Sequence, residues 1–335
     1  MLKYKSVLTH GVRGKLAVLA ATASTLAAMA APAAQAAYPE NPINMIVSYG
    51  PGGGTDLVAR ALAPYIEKYL GNQARIVVVN RPGAGGEIGF AEVARAKPDG
   101  YTIGFLNTPN LLTIPIQRKA QYHWTGFDLL GNLIDDPDSF AINTNKHNFK
   151  TLDELAKYAK AHPGEVTVGT TGSGSDDHLA MLAFEKAAGI EMLHVPYKGA
   201  GAVRTAISGG EITLAAMNIG EVKAYMAGGS PMRPLGVMSE ERSDIDPDLL
   251  TFKEQGYDII MSSLRGIGAP KGLPENTRKK LVEAVQKATN DPEFREQARK
   301  MFVPLRYLGP DQYKAEMEAN EAMFKQVWKD TPWSD

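Results

Sequence analysis

Two stretches of the chain repeat one local pattern, and this repetition limits the folds that the sequence can adopt. The stretches are IVSYGPGGGTDLVARAL, residues 46–62, and VTVGTTGSGSDDHLAML, residues 166–182. Each begins with an apolar, strand-like run, continues through a turn of Gly, Ser and Thr, and ends in a helical pattern opened by a hydroxyl residue and an Asp. Repeated strand–helix units predict an α/β fold with a parallel sheet. We therefore predict two α/β domains of like, doubly wound topology.

The rest of the sequence continues this alternation. Strands are predicted at residues 43–47, 76–79, 101–106, 166–169, 192–195, 212–216 and 235–238. Helices are predicted at residues 55–70, 87–96, 151–161, 176–188, 203–208, 219–227, 274–290, 292–301 and 311–328. Pro64 lies inside the first helix and predicts a kink or a break there, because proline removes a backbone hydrogen-bond donor.

Four glycine-rich turns follow strand-like runs, at residues 51–55, 82–86, 171–175 and 198–201. The first N–H groups of a helix have no partner within it, and the macrodipole adds about half a positive charge at that end. Since glycine lets the backbone approach a ligand closely, such a turn can bind an anion without lysine or arginine.

The same turns could instead be ordinary strand–helix connections. In that interpretation their Asp, Ser and Thr residues serve only as caps, and we expect Thr55 and Ser175 to cap their helices in either case. In doubly wound folds, however, ligands bind at the carboxyl ends of the strands, where all four turns would gather. We therefore favour an anion-binding site.

The first 36 residues have the features of a secretory signal peptide. Four Lys or Arg residues precede the end of an apolar run at residues 16–31, and residues 34–36 form the small-x-small pattern that signal peptidase cuts after. A membrane anchor is the alternative, but the apolar run is short for a membrane span. We therefore expect cleavage near Ala36 and a periplasmic protein.

Composition and motifs argue against several kinds of chemistry. The chain contains no Cys, which rules out disulfides, thiol nucleophiles and iron–sulfur clusters. A net charge of −1 without a basic tract argues against a nucleic-acid partner. The P-loop motif GxxxxGK[ST] is absent, and Thr171 stands where the hydrolase motif GxSxG requires glycine. We expect no cofactor, no metal ion and no enzymatic activity.

Asp176, Asp177 and His178 form an acid–histidine cluster at the start of a predicted helix. Acidic residues are favoured there because they complement the positive end of the helix dipole. We interpret them as caps or ligand contacts, and a catalytic or metal-binding role is the alternative.

Several ordered motifs resemble those of a known family. They are PGGGTD at residues 51–56, NRPGAGG at 80–86, GSGS at 172–175 and VPYKG at 195–199. The sequence after residue 37 resembles, over essentially its whole length, the extracytoplasmic solute-binding proteins of tripartite tricarboxylate transporters, the Bug family. The resemblance implies a two-domain protein of the periplasmic-binding-protein type, type II-like, that closes on a small carboxylate like a Venus flytrap.

The resemblance also implies which residues bind the ligand. In the family, the turn after the first strand and its counterpart in the second domain grip a carboxylate, often through bridging waters. The ligand-binding residues predicted here are Tyr49, Gly53, Gly54, Thr55, Asp56, Ala84, Gly85, Thr171, Gly172, Ser173, Asp176, Tyr197, Asn218, Glu221 and Arg265.

Three of these positions have alternative interpretations. Arg265, in SSLRGIGAPKG, stands where many family members have an aromatic or small residue. Its guanidinium could pair with a second or third ligand carboxylate, or form a salt bridge across the hinge. Asn218 and Glu221 could contact the ligand or cap the helix that follows.

We predict residues 38–140 plus 265–335 as domain 1 and residues 141–264 as domain 2. Crossings near residues 140–144 and 263–268 would act as hinges, and the last helices would pack on domain 1. The expected partners of a monomeric protein are a small carboxylate and the membrane components of a tripartite transporter. A sensory accessory protein, or less readily a periplasmic enzyme, is the alternative function.

Overall fold

A computed structural model describes residues 38–333 of the chain, so the predicted signal peptide lies outside the described residues. In the described part, no helix is both long enough and apolar enough to span a bilayer. Its strands are β1 Ile43–Val47, β2 Ile76–Asn80, β3 Thr102–Asn107, β4 Phe127–Asn143, β5 Thr167–Thr170, β6 Leu193–Pro196, β7 Leu214–Asn218, β8 Met232–Val237, β9 Ser262–Pro270 and β10 Leu305–Leu308.

The helices lie between and after these strands. They are α1 Gly54–Leu70, α2 Glu87–Arg95, α3 Asn110–Gln117, α4 Leu152–Ala161, α5 Asp176–Ala188, α6 Ala200–Gly209, α7 Ile219–Ala227, α8 Glu275–Thr289, α9 Pro292–Lys300 and α10 Pro310–Asp330. Short 3-10 turns at Ala84–Gly86, Trp124–Gly126 and Lys253–Gln255 connect some of them.

The strands form a mixed sheet in the order β2-β1-β3-β9-β4-β7-β5-β6, with β8 and β10 also paired to β4. β1 is parallel to β2 and β3, and β5 is parallel to β6 and β7. The two parallel groups are joined through β4 and β9, which run antiparallel to their neighbours. The predicted α/β class is thus confirmed, with an antiparallel junction between the parallel groups.

The long strand β4 changes partners along its length. Residues 127–137 pair with β9, and the ladder ends at Pro137 opposite Ser262. From Asp138 onward the strand pairs with β7 and β8, beginning with Asp138 opposite Asn218. We call β1–β3, β9, β10, residues 127–137 and helices α1–α3 and α8–α10 the first half. The second half consists of β5–β8, residues 138–143 and helices α4–α7.

The partner change in β4 lies just before the first predicted crossing at residues 140–144. The limits of two domains that move against each other stay a prediction. The last helix packs on the first half, as expected, because the buried Tyr313 on α10 donates a hydrogen bond to the backbone oxygen of Leu106 on β3 at 3.1 Å.

Helices cover both faces of the second half, as a doubly wound sheet requires. Phe140 and Ile142 of β4 belong to one apolar cluster, with Leu155 on α4 and Phe184 on α5. The intervening Ala141 belongs to a second cluster, which includes residues of α6 and α7. Since successive side chains of a strand point to opposite faces, this alternation buries both faces of the sheet.

The seven predicted strands are confirmed to within three residues at either end. β4, β9, β10 and α3 were not predicted. The predicted break at Pro64 is wrong, because α1 continues through it while packing against β2 and α8. Ser175 caps α5 as expected, with its hydroxyl accepting from the backbone N–H of His178 at 3.2 Å.

Thr55 does not cap α1. It lies inside the first turn, because the helix already begins at Gly54 and Gly53 takes the capping position. The Thr55 hydroxyl instead accepts a hydrogen bond from Asn107 Nδ2 at 2.8 Å.

The contact between α10 and β9 can be tested at a glycine. A Cβ atom on Gly266 would lie 2.4 Å from the buried ring of Tyr313. We expect Gly266→Ala to lower the free energy of unfolding by about 1–3 kcal/mol, because overpacking forces rigid neighbours to shift. Urea denaturation measures this effect. Gly126→Ala is the matched control, since a Cβ there meets nothing within 4 Å. Equal stability of the two variants would contradict the packing.

Candidate functional site

The four glycine turns meet in pairs where the two halves of the sheet join. The first turn contacts the fourth: Gly50 N–H donates to Lys198 O at 3.1 Å, and a Cβ on Gly201 would lie 3.1 Å from Pro51 O. The second turn contacts the third, because a Cβ on Gly172 would lie 3.3 Å from the Cα of Gly85. Missing side chains therefore allow backbone from one half to touch backbone from the other.

A small buried cavity lies between the turns, with a volume of about 30 Å³. We call it the inner cavity. The predicted site residues that line it are Tyr49, Gly53, Gly54, Thr55, Thr171, Asp176, Asn218, Glu221 and Arg265. This volume suffices for roughly one or two water molecules, so the structure has the two halves closed upon each other.

A larger cleft of about 530 Å³ lies beside the inner cavity and shares Tyr49 and Thr171 with it. We call it the outer cleft. The other predicted residues that line it are Ala84, Gly85, Gly172, Ser173 and Tyr197. The structure thus places nearly all predicted site residues along one continuous seam between the halves.

Asp56 lines neither the inner cavity nor the outer cleft. Its carboxylate accepts hydrogen bonds from Gly52 N–H at 2.9 Å, Asn80 Nδ2 at 2.9 Å and Arg60 Nε at 3.0 Å. Burial alone would raise the pKa of Asp56, but these hydrogen bonds outweigh it and hold the pKa below its ordinary value. In this structure Asp56 shapes the first turn.

Four residues that line the inner cavity were not predicted. They are Asn107, Asn110, Ala200 and Ser263. Asn107 ends β3 and Asn110 begins α3, so polar residues at the carboxyl end of a strand were the signal that could have revealed them. Ser263 lies two residues before Arg265 on β9.

Arg265 is buried at the junction, with only 3% of its surface exposed. Its Nη2 donates to Asn218 Oδ1 at 2.6 Å and lies 3.2 Å from Glu221 Oε1 and 3.4 Å from Asp136 Oδ2. Arg265 and Asp136 belong to the first half, whereas Asn218 and Glu221 stand at the β7–α7 connection of the second. One guanidinium therefore links the two halves through charge-assisted hydrogen bonds.

Carboxyl groups of the protein itself occupy two of the four predicted anion-binding turns, the first and the third. Gly54 N–H, at the first residue of α1, donates to Glu221 Oε1 at 3.1 Å. In the second half, the N–H and hydroxyl of Thr171 donate to Asp177 Oδ2 at 2.7 and 2.6 Å. The turns have the carboxylate-binding geometry that the sequence indicates, and in this structure the carboxylates are side chains of the protein.

Three carboxyls form a cluster at the inner cavity: oxygens of Asp138, Asp177 and the cavity-lining Asp176 all lie within 4.8 Å of one another. This spacing could hold a metal ion. Burial, reinforced by the neighbouring acids, raises the pKa of Asp138 and of Asp177 well above the ordinary value. Shared protons can therefore relieve the repulsion between them without a metal.

Two acids of the site titrate near neutral pH. Burial raises the pKa of Asp176 to about 6, opposed by the hydrogen bond from Asn218. Burial also raises the pKa of Asp136 to about 7, opposed by Arg265 and reinforced by Glu221. The charge at the junction therefore changes between mildly acidic and neutral pH.

Two α/β halves that meet at glycine turns around a buried cavity define a protein of the periplasmic-binding-protein type. A family model described as "Tripartite tricarboxylate transporter family receptor" matches residues 58–324. The chain belongs to this family, and the resemblance seen in its motifs is confirmed.

Relatives and solved structures agree with this assignment. A Cupriavidus necator protein, described as a UPF0065 protein in the gbd 5' region, is 33% identical over 279 residues, which are 82% of each chain. The periplasmic binding protein BugD is 30% identical, with a TM-score of 0.81 over 88% of this chain and 98% of that one. The R. palustris protein Rpa4515, solved with adipate, is 25% identical, with a TM-score of 0.81 over 87% and 97%.

The pKa of Asp136 leads to a test of the junction. Because its pKa is about 7 in the folded protein and 3.8 in an exposed chain, the folded state binds more protons between these values. Its contribution to stability is therefore lost as pH rises from about 4 to about 7. We expect Asp136→Asn to remove this part of the pH dependence, measured as the free energy of unfolding of both proteins at pH 4 to 8. Parallel curves would contradict the assignment.

Proposed function

We propose that the chain is an extracytoplasmic solute-binding protein that captures a small organic acid between its two halves. It then delivers the acid to the membrane components of a tripartite transporter. The observation that carries this proposal is that turns of both halves line one cavity and that their N–H groups already donate to carboxyl groups, Gly54 to Glu221 and Thr171 to Asp177. A cleavable signal peptide would place the protein in the periplasm.

The solved relatives support an organic acid as the solute. Rpa4515 was solved with adipate, and it shares the fold over 87% of this chain. A solute carboxylate bound here would take N–H groups of the first turn, at Gly53, Gly54 and Thr55. It would take those of the third turn, at residues 171–173, from the opposite side. Arg265 adds a donor, because its buried Nε has no hydrogen-bond partner in the structure.

Capture requires the halves to separate, since the inner cavity of about 30 Å³ is smaller than any organic acid of this kind. A solute that touches both halves binds the closed form more tightly, and this difference in affinity drives closure. A shift of the closed population from about 1% to about 99% needs roughly 5.5 kcal/mol of differential binding. Several charge-assisted hydrogen bonds, at about 1.5–3 kcal/mol each, are sufficient.

Reversible binding without chemistry suits the site better than catalysis does. The acids nearest the inner cavity already have partners within the protein. Asp176 accepts from Asn218 inside the second half, whereas Glu221 contacts Gly54 and Arg265 and so links the two halves. A sensory accessory protein would use the same site. Uptake of the identified solute in cells that carry the cognate transporter separates the two functions, because deletion of this chain abolishes uptake only if it delivers the solute.

A ligand screen tests the proposed capture. We expect at least one small organic acid to raise the melting temperature of the purified mature protein, because a ligand at 100 times its Kd adds about 2.7 kcal/mol of stability. Thermal-shift measurements over mono-, di- and tricarboxylates and amino acids would reveal it. NMR of the recovered solute serves as the control, and a chemically altered solute would count against a binding protein.

A substitution at Gly54 tests most directly whether the first turn binds the solute. A Cβ atom there would lie 2.2 Å from Glu221 Oε1 and 2.6 Å from Arg265 Nη1, in the space where α1 presents its first N–H. We expect Gly54→Ala to weaken binding of the best solute by about 10- to 150-fold, the equivalent of one charge-assisted hydrogen bond. Calorimetry measures the Kd.

Gly126→Ala is again the matched control, because it adds the same methyl group in open space. Unchanged affinity in a folded Gly54→Ala protein would remove the first turn from the site.

A further inference from the structure

The charges around the inner cavity do not balance. Among the residues that line it, Asp176 and Glu221 carry carboxyls and Arg265 is the single cation, and each of the three is at least nine-tenths buried. Asp136 is 3.4 Å from Arg265, and oxygens of Asp138 and Asp177 lie within 4.8 Å of Asp176. Burial raises the pKa of Asp138 and of Asp177, so these two can share protons. The carboxyls of Asp136, Asp176 and Glu221 still outnumber the one buried guanidinium.

The positive charge of the guanidinium is already largely compensated by groups of the protein. Its Nη2 is already shared among Asn218, Glu221 and Asp136. A solute that brought only negative charge would be desolvated beside the carboxyls of Asp176 and Glu221, which line the inner cavity. Buried charges of one sign without a partner are costly. A positive group on the solute would instead pair with those carboxyls.

Unpartnered polar side chains in the same cavity give an independent indication of the solute. Asn107 and Asn110 are 4% and 2% exposed and line the inner cavity. Asn107 Oδ1, an acceptor, and Asn110 Nδ2, a donor, have no hydrogen-bond partner, although buried polar atoms are normally paired. The buried Nε of Arg265 also lacks an acceptor. The cavity therefore requires a solute with both donors and acceptors.

We propose that the captured solute is zwitterionic, with an ammonium group beside a carboxylate, and that 2-amino acids are its chemical class. This inference rests on the proposed function and narrows its ligand. The acceptors Asp176, Glu221 and Asn107 provide for the three N–H bonds of the ammonium group. Asn110 and Arg265, together with the turn N–H groups, provide donors for the carboxylate.

Matched pairs of acids test the proposal. Calorimetric titrations in the presence of EDTA compare succinate with L-aspartate, glutarate with L-glutamate, adipate with L-2-aminoadipate, and butyrate with L-2-aminobutyrate. Within a pair only the ammonium group differs. We expect the amino member of at least one pair to bind at least tenfold more tightly than its partner.

The other outcomes separate the inference from the proposed function. If no pair that binds shows tighter binding of its amino member, the proposal of a zwitterionic solute is refuted, while capture of an organic acid stands. If no member of any pair binds, capture of a small organic acid is contradicted, and the inference falls with it. Binding that occurs only without EDTA and with an added divalent cation would show that a metal ion supplies the positive charge, which also overturns the inference.

Neutral variants locate the ammonium group. We expect Glu221→Gln and Asp176→Asn each to reduce the ratio of the two Kd values in a pair, deamino over amino, at least tenfold, whatever change the variant makes in the affinity for the deamino acid itself. Glu240→Gln is the control, because this glutamate lies in an exposed salt bridge with Lys253 outside the cavity. Far-UV circular dichroism and urea denaturation report that each variant is folded. An equal loss of affinity for both members of a pair would mean that the residue supports the site without recognising the ammonium group.

Discussion

The hydrogen bond between the first N–H of α1 and the carboxylate of Glu221 is the contact on which the junction depends. It satisfies a helix-terminal donor that has no partner within its own helix, and it does so with a side chain from the opposite half. Arg265 lies 3.2 Å from the same carboxylate, so the anion is held by a helix terminus and a guanidinium together. This arrangement requires glycine at position 54, because a Cβ there would occupy the position of the carboxylate.

The parallel parts of the fold could be predicted because each strand, turn and helix is encoded in one continuous segment, such as residues 43–70 or 167–188. The junction between the two halves could not be predicted in this way. Residues 135–138, in β4, read Asp-Asp-Pro-Asp and resemble a loop in the sequence. They form part of a strand in which Asp136 and Asp138 are buried, because their partners come from distant segments. Asp136 is paired with Arg265, and the Asp136 backbone oxygen accepts from Asn218. Local propensity cannot reveal such compensation across the fold.

The same reason separates the site residues that were predicted from those that were missed. Gly54 and Thr171 belong to turns with a strong local pattern, and both line the inner cavity. Asn107 and Asn110 flank a Thr-Pro step with no such pattern, and their importance follows from where β3 ends relative to the third turn. Asp56 was predicted from its motif but does not line the inner cavity. Its carboxylate instead accepts a hydrogen bond from Gly52 within its own turn.

An internal carboxylate at the solute-binding turn has an energetic consequence. The closed form can exist without solute, because Glu221 and Arg265 satisfy each other and the N–H of Gly54. A solute must therefore exceed these internal contacts, and only the surplus contributes to its affinity or to closure. A simple carboxylate would replace one anion by another and gain little. A solute that also neutralises the surrounding carboxyls gains an interaction that the empty closed form lacks, so the buried acids raise the selectivity of the site while weakening the closed state that forms without solute.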